Sequence, residues 1–510
     1  MQVILTFDVG TTAMKCCAFD ENFLMLANQT TEYTLSTPAE NCVEMNPEVY
    51  WQCLCSSTRA ILHAGIRAAD ICAVGISTQG ETMLALDREG HPLLPAVVWL
   101  DSRAQQQSAQ IEQDLDLKQF YRTTGLPELS GALPLAKLKW LLEESGVGSR
   151  VSNVLLLEDY LIYRLTGNLV GESSLLCSTG YLNIHSRTYE AEYLKLAGAD
   201  AHLLPEILPP GSVAGSMTAE AARQTGLLSG TPVCCTAMDQ TAGAVGAGNT
   251  TPGIVSETTG TCLTVAATTE LPDFDLPAPL QYYTHVDGRY LALAYNPTAA
   301  IVMKWFKDQF LADSSACAAS CLNVYAYMSS LAGAVPPGCD GLLMLPHLSG
   351  KSMPKACENL RGTFWGLSLQ TTEGHFIRAI MEGVAFMLQE CLDLFRQAGI
   401  QPAELRSMGG AARDKLWCSI KASATGCRVQ TTSTQEATSL GAAILSARAV
   451  GMDRDLTALC RRAVRMAQSY LPDPALQEVY QAGYETYLRL DRLAQVFYSE
   501  RHKQVSDAGA

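Results

Sequence analysis

The sequence predicts an α/β protein of two large domains, each built on a mixed sheet and facing a shared cleft. Three observations carry this. A chain of 510 residues exceeds what one hydrophobic core organises. It opens as strand, Gly/Thr turn and strand, then passes into helices alternating with strands. The same strand–turn–strand arrangement recurs between Ile254 and Ala267.

Taken in order, Val3 to Asp8 is a short apolar run ending in a carboxylate, Gly10, Thr11 and Thr12 form a turn, and Met14 to Asp20 is a second strand. Phe23 to Leu26 is expected to continue the meander. Pro47 to Ala64 reads as a helix with Val49, Trp51, Leu54, Ala60 and Ile61 on its apolar face, and Ile71 to Ser77 returns to strand. In the second half, Ile254 to Glu257 and Leu263 to Ala267 flank the turn Thr258-Thr259-Gly260-Thr261, so two copies of one fold would each offer a phosphate-sized hairpin turn. The small-residue run Gly243 to Gly248 between them suits a domain junction, because Gly and Ala permit close packing and hinge motion. The expected division is residues 1–247 and 248–485, followed by a helical tail at 486–510. Glu373 to Ala398, Asp414 to Thr425, Ser439 to Val450 and Pro474 to about Gln495 read as helices, and the last nine residues are expected to fray.

Composition excludes several classes. A net charge of −15 without a basic cluster disfavours a phosphate-backbone interface, so nucleic acid is not an expected partner. No apolar run approaches the roughly 20 residues that span a bilayer. The first strand starts almost at Met1, without the basic and apolar regions of a secretory signal, and a cytoplasmic location is expected. The 18 cysteines show no two-residue spacing of a zinc knuckle or redox motif; Cys16, Cys17, Cys234 and Cys235 lie inside apolar runs and read as buried reduced thiols. The glycine-rich turn of a nicotinamide-binding strand–helix unit is absent from residues 8–15.

What remains suits phosphoryl transfer, which needs donors around the phosphates, a divalent metal and a carboxylate near the attacking hydroxyl. Asp8, at a strand end just before Gly10-Thr11-Thr12, can reach a hydrated Mg2+ while turn amides and hydroxyls face phosphate oxygens, and Lys15 adds a point charge. Asp239 follows the apolar run Val233 to Ala237 at a strand-to-helix transition; it is placed either to accept a hydroxyl proton or to cap the helix. Gln79, Glu81, Trp99, Asp101 and Arg103 lie just beyond two strand-like runs and offer paired donors and acceptors with an indole wall, as recognition of a polyhydroxy chain requires. The alternative for Asp101 and Arg103 is a solvated ion pair. Gly409, Gly410 and Ala411, between a strand and a helix, can lie flat against a nucleoside.

The ordered motifs DVGTT, TQGET, VWLDSRA, AKLKW, MDQTAGAVGAG, TTGTC, GTFWGLSLQTTEGHFIRAIMEG and GGAARD resemble those of the FGGY family of carbohydrate kinases over nearly the whole chain. The resemblance implies two actin-like, ribonuclease-H-like ATPase domains, with a sugar held in the first and ATP bound mainly by the second. By position it makes Asp239 the catalytic base, Asp8 and Asp239 the metal-facing pair, and Thr12 and Thr261 the phosphate turns with Gly10, Thr11, Lys15 and Gly260. Gly409, Gly410, Ala411 and Asp414 match the adenosine strip, and Lys304, in a helix from Ala300 to Phe306, falls where the family lines the nucleotide site. Gln79, Gly80, Glu81, Trp99, Asp101, Arg103 and Gln240 are the expected substrate set.

Two departures bear on the substrate. Gly80 stands where the similar glycerol kinase loop carries an Arg, and Ala132 where glycerol kinases carry a Tyr; both changes enlarge the pocket. Xylulokinases show Gln-Met-His at the positions of Gln79-Gly80-Glu81 and Asn at that of Gln240, yet the runs LPLAKLKWLLEE and DYLIYRLTG resemble theirs more. The resemblance therefore leans to a ketopentose such as D-xylulose, with glycerol, ribulose, gluconate, or a non-catalytic nucleotide-binding regulator as alternatives. Expected partners are a small sugar or polyol and ATP with Mg2+, no membrane, and a homodimer as an open expectation.

Overall fold

The structure is a computed structural model that describes residues 2–311, 317, 320 and 322–508. Two mixed sheets organise it. The first contains β1 (Val3–Val9), β2 (Ala13–Asp20), β3 (Met25–Glu32), β4 (Ile71–Thr78), β5 (Ser212–Ser216) and β6 (Pro232–Cys235), in the order β5-β6-β4-β1-β2-β3. The second contains β7 (Ile254–Thr259), β8 (Leu263–Thr269), β9 (Gln281–Thr284), β10 (Tyr290–Asn296), β11 (Glu404–Met408), β12 (Arg428–Thr432) and β13 (Met466–Tyr470), in the order β9-β10-β8-β7-β11-β12-β13.

The internal echo is a topological repeat. β1 pairs antiparallel with β2 and parallel with β4; β7 pairs antiparallel with β8 and parallel with β11. Each Gly/Thr turn therefore protrudes at the end of a central strand, where polar turn groups stand clear of the apolar sheet core. β1 is buried along nearly its whole length, as a strand covered on both faces must be.

Helix α1 (Pro47–His63) starts where Asn46 Oδ1 accepts from Glu48 N at 3.0 Å and Pro47 takes the first turn. Trp51, Leu54 and Ile61 are buried as expected, joined by Tyr50, whereas Val49 and Ala60 sit at the edge of that face. Two sequence expectations are corrected here. Phe23 is not in a strand: Asp20 Oδ1 accepts from both Asn22 N and Leu24 N, closing a turn that holds Phe23 at φ 60°, and β3 begins only at Met25. The C-terminal helix does not end near Gln495; no Gly or Pro interrupts 484–508, and a single helix runs from Gln477 to Ala508, so the division expected at 485 falls inside it. Cys16, Cys17, Cys234 and Cys235 are buried, as expected.

The small-residue run joins the halves. α3 (Asp239–Gly246), which follows α2 (Pro134–Glu143) in our numbering, crosses α7 (Ala437–Ala449), and α7 also covers β1 and β4. Between these lie α4 (Ala300–Phe310), α5 (Glu373–Gln397) and α6 (Lys415–Thr425). A Cβ on Gly246 would meet Ala437 O at 1.8 Å, and one on Gly441 would meet Ala242 O at 1.8 Å, so only glycine lets the two helix backbones touch.

Candidate functional site

Asp8 is the penultimate residue of β1, in register with Lys15 on β2 and Ser77 on β4. Burial pushes its carboxyl up to about 6; the Lys15 ammonium opposes this and the Glu436 carboxylate adds to it. Lys15 does not stand free: its Nζ pairs with Glu436 Oε2 at 2.7 Å, linking the first hairpin to the start of α7.

Asp239 is the first residue of α3, with Met238 in the capping position, so the capping alternative does not hold. Its Oδ1 accepts from Gln240 N at 2.6 Å. Burial raises its carboxyl to about 7, aided by the charges of Asp8 and Glu81 and opposed by the Gln240 amide. The loop that delivers it is held tightly. Thr236 N donates to Glu158 Oε1 at 2.9 Å, Met238 N to Glu172 Oε1 at 3.2 Å, and Ser77 Oγ to Ala237 O at 2.7 Å. Glu158 and Glu172 are fully buried. Sequence reasoning gave them no role, although charged residues inside runs such as LLLEDYLIYRL are the signal that could have found them.

Glu81 sits at φ 61°, left-handed backbone that costs a non-glycine residue free energy and is held here by the turn in which Thr82 N donates to Gly80 O at 2.8 Å. Burial raises its carboxyl, while the Lys137 ammonium and the Ser178 hydroxyl favour the charged form. Lys137, from α2, is fully buried, donates to Val98 O at 2.9 Å, and is pushed down by burial. It belongs to the AKLKW motif, yet its buried charge was not anticipated. Gly80 lies close under Met238 and Ser178: a Cβ there would meet Met238 Sδ at 3.3 Å. Gln79 is 4% exposed; its Nε2 approaches the Tyr50 hydroxyl at 3.5 Å and its Oε1 has no hydrogen-bond partner among the described residues. Such a buried acceptor is what a ligand hydroxyl would satisfy.

Trp99 donates from Nε1 to Thr11 Oγ1 at 3.0 Å. Glu81, Trp99, Ala132, Gln281 and Tyr283 help to line a cavity of about 290 Å³. Tyr283 comes from the second sheet, and its hydroxyl is held un-ionised by burial and by the charges of Glu81 and Asp239. Asp101 and Arg103 do not line this cavity. Asp101 Oδ2 accepts from Val43 N at 2.6 Å and from Arg103 Nη2 at 2.7 Å, and Arg103 also reaches Glu44 Oε1 at 2.7 Å and covers the Trp140 ring at 4.8 Å. Their geometry lends no support to the expected role as sugar ligands: they are engaged by each other, Val43 and Glu44 away from this cavity, and the pair is buried rather than solvated.

In the second half, Gly260 O accepts from Ala300 N at 2.8 Å and Thr261 O from Ala299 N at 2.9 Å, so the turn seats the start of α4. Beneath it, the fully buried Lys421 Nζ donates to Glu257 Oε1 at 2.7 Å and Thr259 Oγ1 at 2.8 Å. Gly409 has φ 78°, and a Cβ would meet Thr259 O at 3.0 Å, so glycine lets β11 end against the hairpin. Gly410, Ala411 and Asp414 line a cavity of about 780 Å³ with Met303, Ser329 and Trp417. Asp414 also caps α6, accepting from Trp417 N at 3.1 Å. Lys304 does not line this cavity; it pairs with Asp308 on the half-exposed side of α4, which lends no support to the expected nucleotide contact.

Two repeated sheets, each with a Gly/Thr hairpin, make an actin-like fold, and a buried carboxylate at a helix start suits phosphoryl transfer; family membership makes the chain a carbohydrate kinase that takes ATP and a sugar. The chain belongs to the FGGY family of carbohydrate kinases: the family's N-terminal domain matches residues 3–246 and its C-terminal domain residues 255–450. It is 28% identical to a gluconokinase of Bacillus subtilis (strain 168) over 88% of each chain, and 26% identical to a xylulose kinase of the same organism over 96% of each. The crystal structure of xylulose kinase from Rhodospirillum rubrum superposes with a TM-score of 0.88 at 27% identity, covering 98% of this chain and all of that one.

Proposed function

We propose that this kinase phosphorylates a neutral polyhydroxy substrate, a ketopentose such as D-xylulose, with Asp239 as the general base. The observation that carries this reading is the clustering of buried acids: the charges of Asp8 and Glu81 both raise the Asp239 carboxyl, and Glu81 lines the smaller cavity. An anionic substrate such as gluconate would bring a further carboxylate to this site, where the charge of the buried cation Lys137 already faces Glu81. A neutral sugar instead supplies hydroxyl donors to Glu81 and Gln79.

In this reading Gln79, Glu81 and Gln240 orient the sugar against Trp99, and the Asp239 carboxylate oxygen not held by Gln240 N accepts the proton of the attacking hydroxyl. The sugar oxygen bonds to the γ-phosphorus as the bond to the β-phosphate oxygen breaks, and ADP leaves. The Gly10-Thr11-Thr12 and Gly260-Thr261 turns hold the transferring group, and Gly409, Gly410 and Ala411 lie against the nucleoside. Asp8 and Asp239, two desolvated carboxylates of which the first raises the pKa of the second, fit a hard divalent cation. Among the described residues no group of three or more His, Cys, Asp or Glu forms a metal cage, so a bound Mg2+ would rest on these acids, water and the phosphates, where it would offset phosphate charge. The first 247 residues would carry the sugar and the remainder the nucleotide. No helix among the described residues is long and apolar enough to cross a membrane, and we assign the enzyme to the cytoplasm.

The test is a coupled ADP-release screen over ketopentoses, gluconate, glycerol and tetritols. A preference of about 100-fold in kcat/KM for a ketopentose supports the reading. Preference for gluconate contradicts the electrostatic argument.

A further inference from the structure

Strand β9 belongs to the second sheet but is bonded to the first domain. Tyr282 N donates to Gly125 O at 2.9 Å, the Tyr121 hydroxyl to Leu280 O at 2.7 Å, and Thr284 N to Cys177 Sγ at 3.4 Å. The approach is so close that a Cβ on Gly125 would lie 2.1 Å from Tyr282 O. Strand alternation sends Gln281 and Tyr283 to the same face, and both line the cavity that Glu81 and Trp99 also line. The Tyr283 hydroxyl donates to Gln281 Oε1 at 3.1 Å, which leaves the Gln281 amide nitrogen as the group with donors to offer.

We propose that the Gln281–Tyr283 pair determines specificity by reading the end of the sugar that does not react. Gln281 and Tyr283 leave β9 one strand repeat, about 7 Å, apart, and their side-chain heads meet at 3.1 Å in the cavity that Glu81 also lines. A five-carbon chain engaged at Asp239 has distal hydroxyls to present to the Gln281 amide that a three-carbon polyol lacks. Because β9 is docked on the sugar-binding half, the contact exists before and during transfer alike. It therefore acts on KM and leaves kcat unchanged.

This inference rests on the ketopentose reading, and the experiment separates the two. Wild type, Gln281→Ala and Tyr283→Phe are assayed with D-xylulose, the best other substrate of four or more carbons, and glycerol, with ATP varied independently. Gln281→Ala is expected to raise KM for the longer substrate about tenfold, with kcat within about twofold and KM for glycerol and ATP unchanged. Tyr283→Phe, which loses one hydroxyl and keeps the wall, is expected to shift the same KM in the same direction by a smaller factor. Wild-type failure on every ketopentose with turnover of another long substrate defeats the ketopentose reading alone. An unchanged KM in Gln281→Ala, an equal rise for glycerol, or a wild type that accepts only glycerol overturns the proposal.

Discussion

The Trp99 indole N–H donates to the Thr11 hydroxyl at 3.0 Å, so a wall of the smaller cavity is bonded to the Gly10–Thr12 turn. In the proposed reading this single hydrogen bond couples the position of the acceptor to that of the donor phosphate, the alignment that phosphoryl transfer depends on. Trp99→Phe keeps the apolar wall and removes the donor. Steady-state kinetics with both substrates varied should show kcat/KM falling about tenfold for the sugar and for ATP together. A fall for one substrate alone would show that the bond does not link the two sites.

The crossing of α3 and α7 gives a second prediction. At Gly246 a side chain meets backbone oxygen at 1.8 Å, and backbone cannot rotate away as a side-chain tip can. Gly246→Ala should therefore cost on the order of 2 kcal/mol or more in urea unfolding and displace the start of α3, where Asp239 sits. Gly243→Ala, whose Cβ meets only the Thr438 hydroxyl at 3.5 Å, should be close to neutral.

The repeated hairpins and the buried acid at the start of α3 were legible because each rests on local chemistry: a glycine turn between apolar runs, or an acid at a strand end. What escaped the sequence depends on contacts far apart in the chain. Asp101 and Arg103 look like ligands until Val43 and Glu44 arrive to saturate them. Lys304 looks cleft-facing until the helix turns it towards Asp308. Gln281 and Tyr283 enter the sugar cavity only because a strand of one half docks on the other, a relationship that no periodicity encodes.

Buried acids make stability depend on pH. Burial raises Asp159 from 3.8 to about 8, and Glu172 is raised by burial as well. Between the unfolded and folded values the native state holds the extra protons, so stability falls as pH rises from about 4 to about 8. The substrate-free protein should melt on the order of 5 °C lower at pH 8 than at pH 6, and Asp159→Asn should flatten that slope. Melting temperatures that rise with pH across this window would contradict the burial of these groups.

The central claim is that the Asp239 carboxylate takes the proton of the attacking hydroxyl, and turnover of Asp239→Asn tests it most directly. The account predicts a folded protein that still binds ATP and whose kcat is reduced by about 10²- to 10⁴-fold. Near-normal turnover in that folded variant would contradict it.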